Sequence, residues 1–193
     1  MNPIEYVRVE ALESLKAKEA ILADEALLSL IARAAEVLAE TYRRGGKSLW
    51  AGNGGSAADA QHMAAELVNK FRMDRRGLPA LALTVDTSIL TAVGNDYGYE
   101  RVFAKQIEAL GAPGDVFVGI STSGRSANLV ACAEECRKKG IFSIALLGAS
   151  ACPMDEYDLP IHLPSTLTPR IQECQTLVGH ILCGYVEQLM FSE

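Results

Sequence analysis

Two clusters of polar residues in this chain stand in patterns that can do chemistry. The first pairs His62 with Glu66. A spacing of four puts both side chains on one face of a helix, where an imidazole and a carboxylate can ligate a divalent metal or move protons. An isolated pair of this kind is also what a partly solvated ion pair looks like. The second cluster is Ser121-Thr122-Ser123-Gly124-Arg125-Ser126, four hydroxyls and a glycine directly after an apolar run. Hydroxyls opening onto free helix N–H groups hold a phosphate well, and four are more than a cap requires. Lacking a lysine, the group suits a phosphomonoester and makes no demand for a triphosphate with magnesium.

Other residues could complete such a site. Gly52-Asn53-Gly54-Gly55-Ser56 precedes the His62 helix; its glycines permit close approach of backbone to ligand, and Ser56 with Asp59 reads as a capping box. The loop has neither the third glycine of G-x-G-x-x-G nor a Walker lysine, so nucleotide binding is not indicated. Asn95, Asp96 and Tyr97 occupy a polar segment suited to framing a sugar. Near the C-terminus Arg170, Gln172, Glu173 and His180 interrupt an apolar stretch. Gln172 and His180 are separated by about 12 Å of helical rise and about 80° of turn, so long side chains must converge, or subunits must share the site. A buried neutral imidazole is the plainer reading of His180, and a sheet-end structural role that of His162. One carboxylate base, one imidazole and a phosphate cradle, without an activated serine or cysteine nucleophile, suit proton transfer next to a carbonyl. A carboxylate carries the proton between C2 and C1 through an enediolate, and no redox cofactor is needed.

These residues need a scaffold, and the hydrophobic pattern supplies one. Two helices are expected over roughly 3–20 and 25–43, the second with Asp24 as its cap and Gly45-Gly46 as its stop. Beyond them short apolar strands alternate with helices. Strands are expected at 47–51, 78–84, 115–120, 141–147 and 157–163. Helices are expected at 57–71, 86–93, 99–110, 127–139 and about 169–190, with residues 94–98 as a loop. That order specifies an α/β fold, a flavodoxin-like three-layer sandwich around a five-stranded parallel sheet, with an N-terminal helical extension. Its ligands belong at the carboxyl ends of the strands, where the glycine loop and the hydroxyl loop both fall.

Composition agrees. In 193 residues, 49% are hydrophobic and 22% charged, enough for one substantial core. The net charge of −6 and the lack of a long basic tract argue against nucleic acid. No apolar run reaches the length of a membrane span, and the acidic N-terminal segment does not read as a signal peptide, so a cytoplasmic location is expected. Five cysteines, at 132, 136, 152, 174 and 183, form no CxxC pair. Cys132 and Cys136 are expected to be small buried thiols.

Several of these motifs together resemble the phosphoheptose isomerases of the sugar-isomerase (SIS) family. They are Gly52-Asn-Gly-Gly-Ser-Ala-Ala-Asp-Ala-Gln-His-Met-Ala-Ala-Glu66, Gly94-Asn-Asp-Tyr-Gly98, Gly119-Ile-Ser-Thr-Ser-Gly-Arg-Ser126, and Arg170-Ile-Gln-Glu173 with His180. The likeness covers nearly the whole chain and implies an N-terminal helical extension over 1–44 and an SIS domain over 45–193. It further implies conversion of sedoheptulose 7-phosphate to D-glycero-D-manno-heptose 7-phosphate, the opening step of ADP-heptose synthesis for bacterial surface polysaccharide. Glu66 would be the general base and His180 the general acid. His62, Glu66, Gln172 and His180 would be zinc ligands. Asn53, Gly54, Gly55, Ser56, Asn95 and Asp96 would face the sugar, and Ser121, Thr122, Ser123 and Ser126 its phosphate. Such enzymes are homotetramers with sites between subunits. Lys70 and Gln175 depart from an arginine and a histidine found in some members. A related tetramer of the same fold binds a replication-initiation protein without catalysis; retention of Glu66, His180 and the hydroxyl loop favours the enzyme. Isomerisation of another ketose phosphate is the remaining alternative.

Overall fold

The computed structural model describes residues 2–192; Met1 and Glu193, the outer ends of the two expected segments, lie outside the described residues. Two helices come first, α1 (Pro3–Leu22) and α2 (Glu25–Arg43). Asp24 caps α2 by accepting from the Leu27 amide at 3.0 Å, and Gly45 follows it at φ +81°. Then come β1 (Ser48–Gly52), α3 (Gly55–Val68), β2 (Ala80–Ala82), α4 (Thr87–Tyr97), α5 (Ala104–Leu110), β3 (Val116–Ser121), α6 (Ala127–Lys139), β4 (Phe142–Leu147), β5 (Leu159–His162) and α7 (Thr168–Phe191).

All four strand pairings are parallel and the order is β2-β1-β3-β4-β5, the doubly wound arrangement with its topological switch between β1 and β3. Successive strand residues point to opposite faces, and the two cores follow that alternation. Trp50, Val116, Val118, Ile144 and Leu146 pack with α1, α2, α3 and α7 on one face. Leu49, Phe117, Ala145 and Leu147 pack on the other with Leu129, Cys132 and Cys136 of α6 and Ile107 of α5. The apolar stripe of α2 (Leu27, Ile31, Ala34, Ala35 and Leu38) is buried in the first core.

Three local expectations change. β2, expected over 78–84, covers only Ala80–Ala82: Pro79 before it has no N–H to donate, and an edge strand has only one neighbour. The helix α4 does not stop at 93 but runs through Gly94, Asn95 and Asp96 to Tyr97, and Gly98 at φ +87° ends it. One interior glycine costs only about 1 kcal/mol, and Leu90 and Val93 pack on the second core. Ser56 does not cap α3: the cap position is Gly54, at φ +56°, and Ser56 lies inside the first turn. A backbone with positive φ admits a glycine readily and a capping serine poorly. No helix among the described residues is long and apolar enough to cross a membrane.

Candidate active site

The hydroxyl loop leaves β3 and enters α6 with its donors largely free. Ser126 occupies the helix cap position without making a side-chain cap bond. Ser121 accepts from the Gly124 amide at 3.0 Å and Ser123 from the Arg125 amide at 3.3 Å, so each hydroxyl keeps its proton for a ligand. Ser121, Thr122, Ser123 and Ser126 line a cavity of about 100 Å³ together with Asn53, Ser56 and Gln172. Every one of these side chains offers a neutral donor, and the start of α6 points its free N–H groups toward the same place. A second, wider cavity of about 520 Å³ shares Asn53 and Ser126 with the first and continues toward Tyr99 and Glu100.

Helices α3 and α7 lie side by side in matched register. Gly55 faces the Gln172 amide, Asp59 accepts from the Thr176 hydroxyl at 2.8 Å, and His62 meets His180. At one end the pair carries Ser56 and Gln172 into the cradle; two to three turns on, it carries His62, Glu66 and His180. There the Nε2 of His62 lies 3.0 Å from Oε1 of Glu66 and 3.4 Å from Nε2 of His180, with the two rings edge to face at 4.9 Å. One donor atom from each of the three residues falls within 4.8 Å of the others, a group able to hold a metal ion. Close approach of the helices depends on Gly179, where a Cβ would run into the side chain of Met63.

The sequence-derived candidates are not all gathered here. Gln172 sits at the cradle end of α7. Asn95 and Asp96, exposed on the last turns of α4, bond to each other at 2.8 Å and line neither cavity. His162 has the expected structural role, with Nδ1 on the Gly148 carbonyl at 2.8 Å and Nε2 on Asp155 at 2.9 Å. Arg170 ties α7 to α1 through the Glu10 carbonyl and pairs with Glu173 at 2.9 Å. Of the two departures, Lys70 reaches outward to Asp74 at 4.0 Å. Gln175 is buried, its amide donating to the Leu146 carbonyl at 2.8 Å. Cys132 and Cys136 are buried thiols, and burial pushes Cys136 up to about 12.

Sequence reasoning missed residues that only contacts reveal. Asn128 exchanges two amide hydrogen bonds with Asn53, at 2.9 and 2.8 Å, and so fixes which way the Asn53 amide faces. Phe71 stacks on His180 with centroids 5.4 Å apart. Arg75 and Glu187 form an ion pair at 3.0 Å that is almost wholly buried. The spacing of Phe71 from Glu66 carries no such signal, because the chain leaves the helix between them.

A parallel α/β sheet with a hydroxyl cradle at its switch point and a His–Glu–His cluster beside it points to a sugar-phosphate site, and comparison with known proteins agrees. The SIS domain profile matches residues 13–148. A phosphoheptose isomerase from Aneurinibacillus thermoaerophilus is 53% identical over 97% of this chain and 95% of its own length. The chain belongs to the phosphoheptose isomerase family of SIS-domain proteins. Solved members share its architecture. A phosphoheptose isomerase from Francisella tularensis superposes with a TM-score of 0.92 at 38% identity, covering 97% of this chain and 100% of the other. One from Neisseria gonorrhoeae gives 0.87 at 42% identity, covering 95% and 98%. Family membership gives a chemical context for a cradle made only of neutral donors beside a carboxylate–imidazole cluster: neutral donors suit a phosphate, and a carboxylate with an imidazole can move protons.

Proposed function

We propose that the chain interconverts sedoheptulose 7-phosphate and D-glycero-D-manno-heptose 7-phosphate through an enediol, in the cytoplasm, at the head of ADP-heptose synthesis. The observation that carries this reading is the pairing of α3 with α7, which joins the cradle at one end to Glu66 and two facing imidazoles further along. Ser56 and His62 are separated by about 9 Å of helical rise, a separation suited to a long sugar phosphate extended from a gripped phosphate to a reacting carbonyl. Ser121, Thr122, Ser123 and Ser126 would hold the phosphate, and Asn53, oriented by Asn128, would meet a sugar hydroxyl. Gly54 and Gly55 would let the backbone approach, and Gln172 would contact substrate at the cradle. Glu66 would take the proton from C1 of the ketose and return it at C2. His180 would donate to the carbonyl oxygen and recover the proton from the neighbouring hydroxyl, so that charge on the enediolate never accumulates.

Zinc fits the residues present. Ligands held about 2.0–2.1 Å from a tetrahedral zinc lie about 3.3 Å from one another, close to the 3.4 Å between the two imidazole nitrogens and the 3.0 Å between His62 and Glu66. His62, Glu66 and His180 would hold the ion; Gln172, at the cradle end of α7, would serve as the family's further ligand only if subunits share the site. When bound, the ion would polarise the sugar oxygens as a Lewis acid. The same reading takes residues 1–44 as a helical layer on the SIS unit of 45–193. It also takes the assembly as a homotetramer whose exposed α1 apolar residues (Ile4, Val7, Leu12 and Leu15) are covered by another copy. Asn95 and Asp96 would then meet the sugar from a neighbouring subunit.

The test is incubation of the purified protein with sedoheptulose 7-phosphate in deuterated water. Aldose formation with deuterium at C2 is the expected result. No conversion at enzyme concentrations that bind the substrate would refute the reading.

A further inference from the structure

We infer that the buried Arg75–Glu187 ion pair is a positioning device for the His62–Glu66–His180 cluster, acting through Phe71, which it holds stacked on the His180 ring. The inference rests on the reading of that cluster as the reaction centre.

The segment after α3 has no regular structure of its own, yet it is tightly fixed. Glu187 collects three successive backbone amides, those of Phe71 (2.8 Å), Arg72 (2.8 Å) and Met73 (3.1 Å), along with Nε of Arg75 at 3.0 Å. Arg75 in turn donates to the carbonyls of Glu66 (2.9 Å), Leu67 (2.7 Å) and Asn69 (3.1 Å). The guanidinium therefore closes the free carbonyl end of α3, including the carbonyl of Glu66 itself, where a cation is favoured by the helix dipole. Both side chains are 1% exposed. An ion pair this deeply buried is weak support for stability as such, because desolvation offsets the attraction; here it spends its hydrogen bonds on one short loop.

What that loop delivers is a ring. Glu187 stands seven residues after His180 on α7, two helical turns along the same face. Phe71 fills the turn between them: its ring edge lies 3.2 Å from where a Cβ on Gly184 would sit, and its face stacks on His180 with an interplanar angle of 27°. His180 is thus held between the Phe71 face and the edge of His62. One ion pair ties the end of the helix carrying Glu66 to the helix carrying His180, and the aromatic ring it places restricts the imidazole to the orientation that faces His62. A loop anchored merely for stability needs amide bonds and no aromatic ring at this position.

The experiment compares Phe71→Leu, Phe71→Tyr and Glu187→Gln with the parent chain, using protein labelled at histidine and treated with chelator. With three histidines in the chain, the His180 ring signals are identified by their loss in His180→Gln. In the parent, stacking shields those protons. In Phe71→Leu and Glu187→Gln they move downfield, and in Phe71→Tyr they stay. Turnover in Phe71→Leu and Glu187→Gln drops about 10- to 100-fold, as expected when supporting residues let a reacting group drift, while KM stays within about threefold because phosphate binding is untouched. Phe71→Tyr retains turnover. A folded Glu187→Gln protein with His180 signals in the parent position overturns the inference, and so does Phe71→Leu with parental kcat. If Glu187→Gln does not fold, the leucine and tyrosine variants decide alone. Absence of isomerase activity in the parent would defeat the functional reading only, and the ring signals would still report whether the ion pair places Phe71.

Discussion

Replacing Gly179 with alanine tests whether the α3–α7 contact sets the geometry of the His62–Glu66–His180 cluster. A Cβ at this position would sit 3.0 Å from Cγ and 3.2 Å from Cε of Met63, with the sulfur nearer still. Carbon–carbon contacts settle at about 3.5–4.0 Å, so the two helices must part by about 0.5–1 Å. Met63 cannot swing clear, being 1% exposed and packed against Cys183. Overpacking of this kind costs about 1–3 kcal/mol of stability. The larger consequence falls on function. His62 is the residue before Met63 and His180 the residue after Gly179, so the parting acts directly on the 3.4 Å contact between the imidazoles. A misplacement near 1 Å reduces turnover by up to about 100-fold. The assay pairs urea unfolding with the rate of deuterium incorporation at C2 from sedoheptulose 7-phosphate. Gly179→Ala should lose both stability and turnover, and adding Met63→Ala should recover a large part of each by vacating the contested space. Parental turnover in a folded Gly179→Ala protein, or no recovery in the double variant, would refute the reasoning.

Glu66→Gln keeps the shape and a hydrogen-bonding group beside His62 but cannot take a proton. Turnover should fall at least about 100-fold with sugar-phosphate affinity nearly unchanged, measured by steady-state kinetics and calorimetric titration; substantial residual turnover would remove Glu66 from the role of base. Stability should also depend on pH through Glu187. Burial pushes its carboxyl up, but the amides of Phe71, Arg72 and Met73 and the Arg75 guanidinium outweigh that and hold it below the ordinary 4.5. The depressed folded value makes its stabilisation complete above about 4.5 and progressively lost as the pH falls through the folded pKa. Thermal unfolding should therefore show an acid limb below that pH, shallower in Glu187→Gln. Thiol titration should find a quiet native protein. Burial raises Cys132, Cys136, Cys174 and Cys183, the second and last to about 12, and Cys152 is raised as well by burial and by Asp155. At most Cys152, the half-buried one, should react promptly near neutral pH, and all five should react in denaturant; two or more fast native thiols would contradict the packing.

The parallel α/β architecture was written in the order of apolar strands and amphipathic helices, and so was the place of the cradle. These features follow from local periodicity and from the rule that open sheets bind ligands at their strand ends. His62 and Glu66 were legible for the same reason, since four residues on a helix define a face without outside help. Local signals also misled where a neighbour decided the outcome: residues 94–97 look like a loop but are helical because α4 packs on the second core. Ser56 looks like a cap but lies within α3 because Gly54 takes the cap position. The meeting of His62 with His180, 118 positions apart, was beyond any spacing rule. It depends on the register of two helices distant in sequence, which is set by a missing Cβ at Gly179 and the bulk of Met63. Asn128, Phe71, Arg75 and Glu187 were hidden for the same physical reason. The partners that decide their roles lie 75 to 116 residues away, and only packing of the whole chain decides which side chains come to share a site.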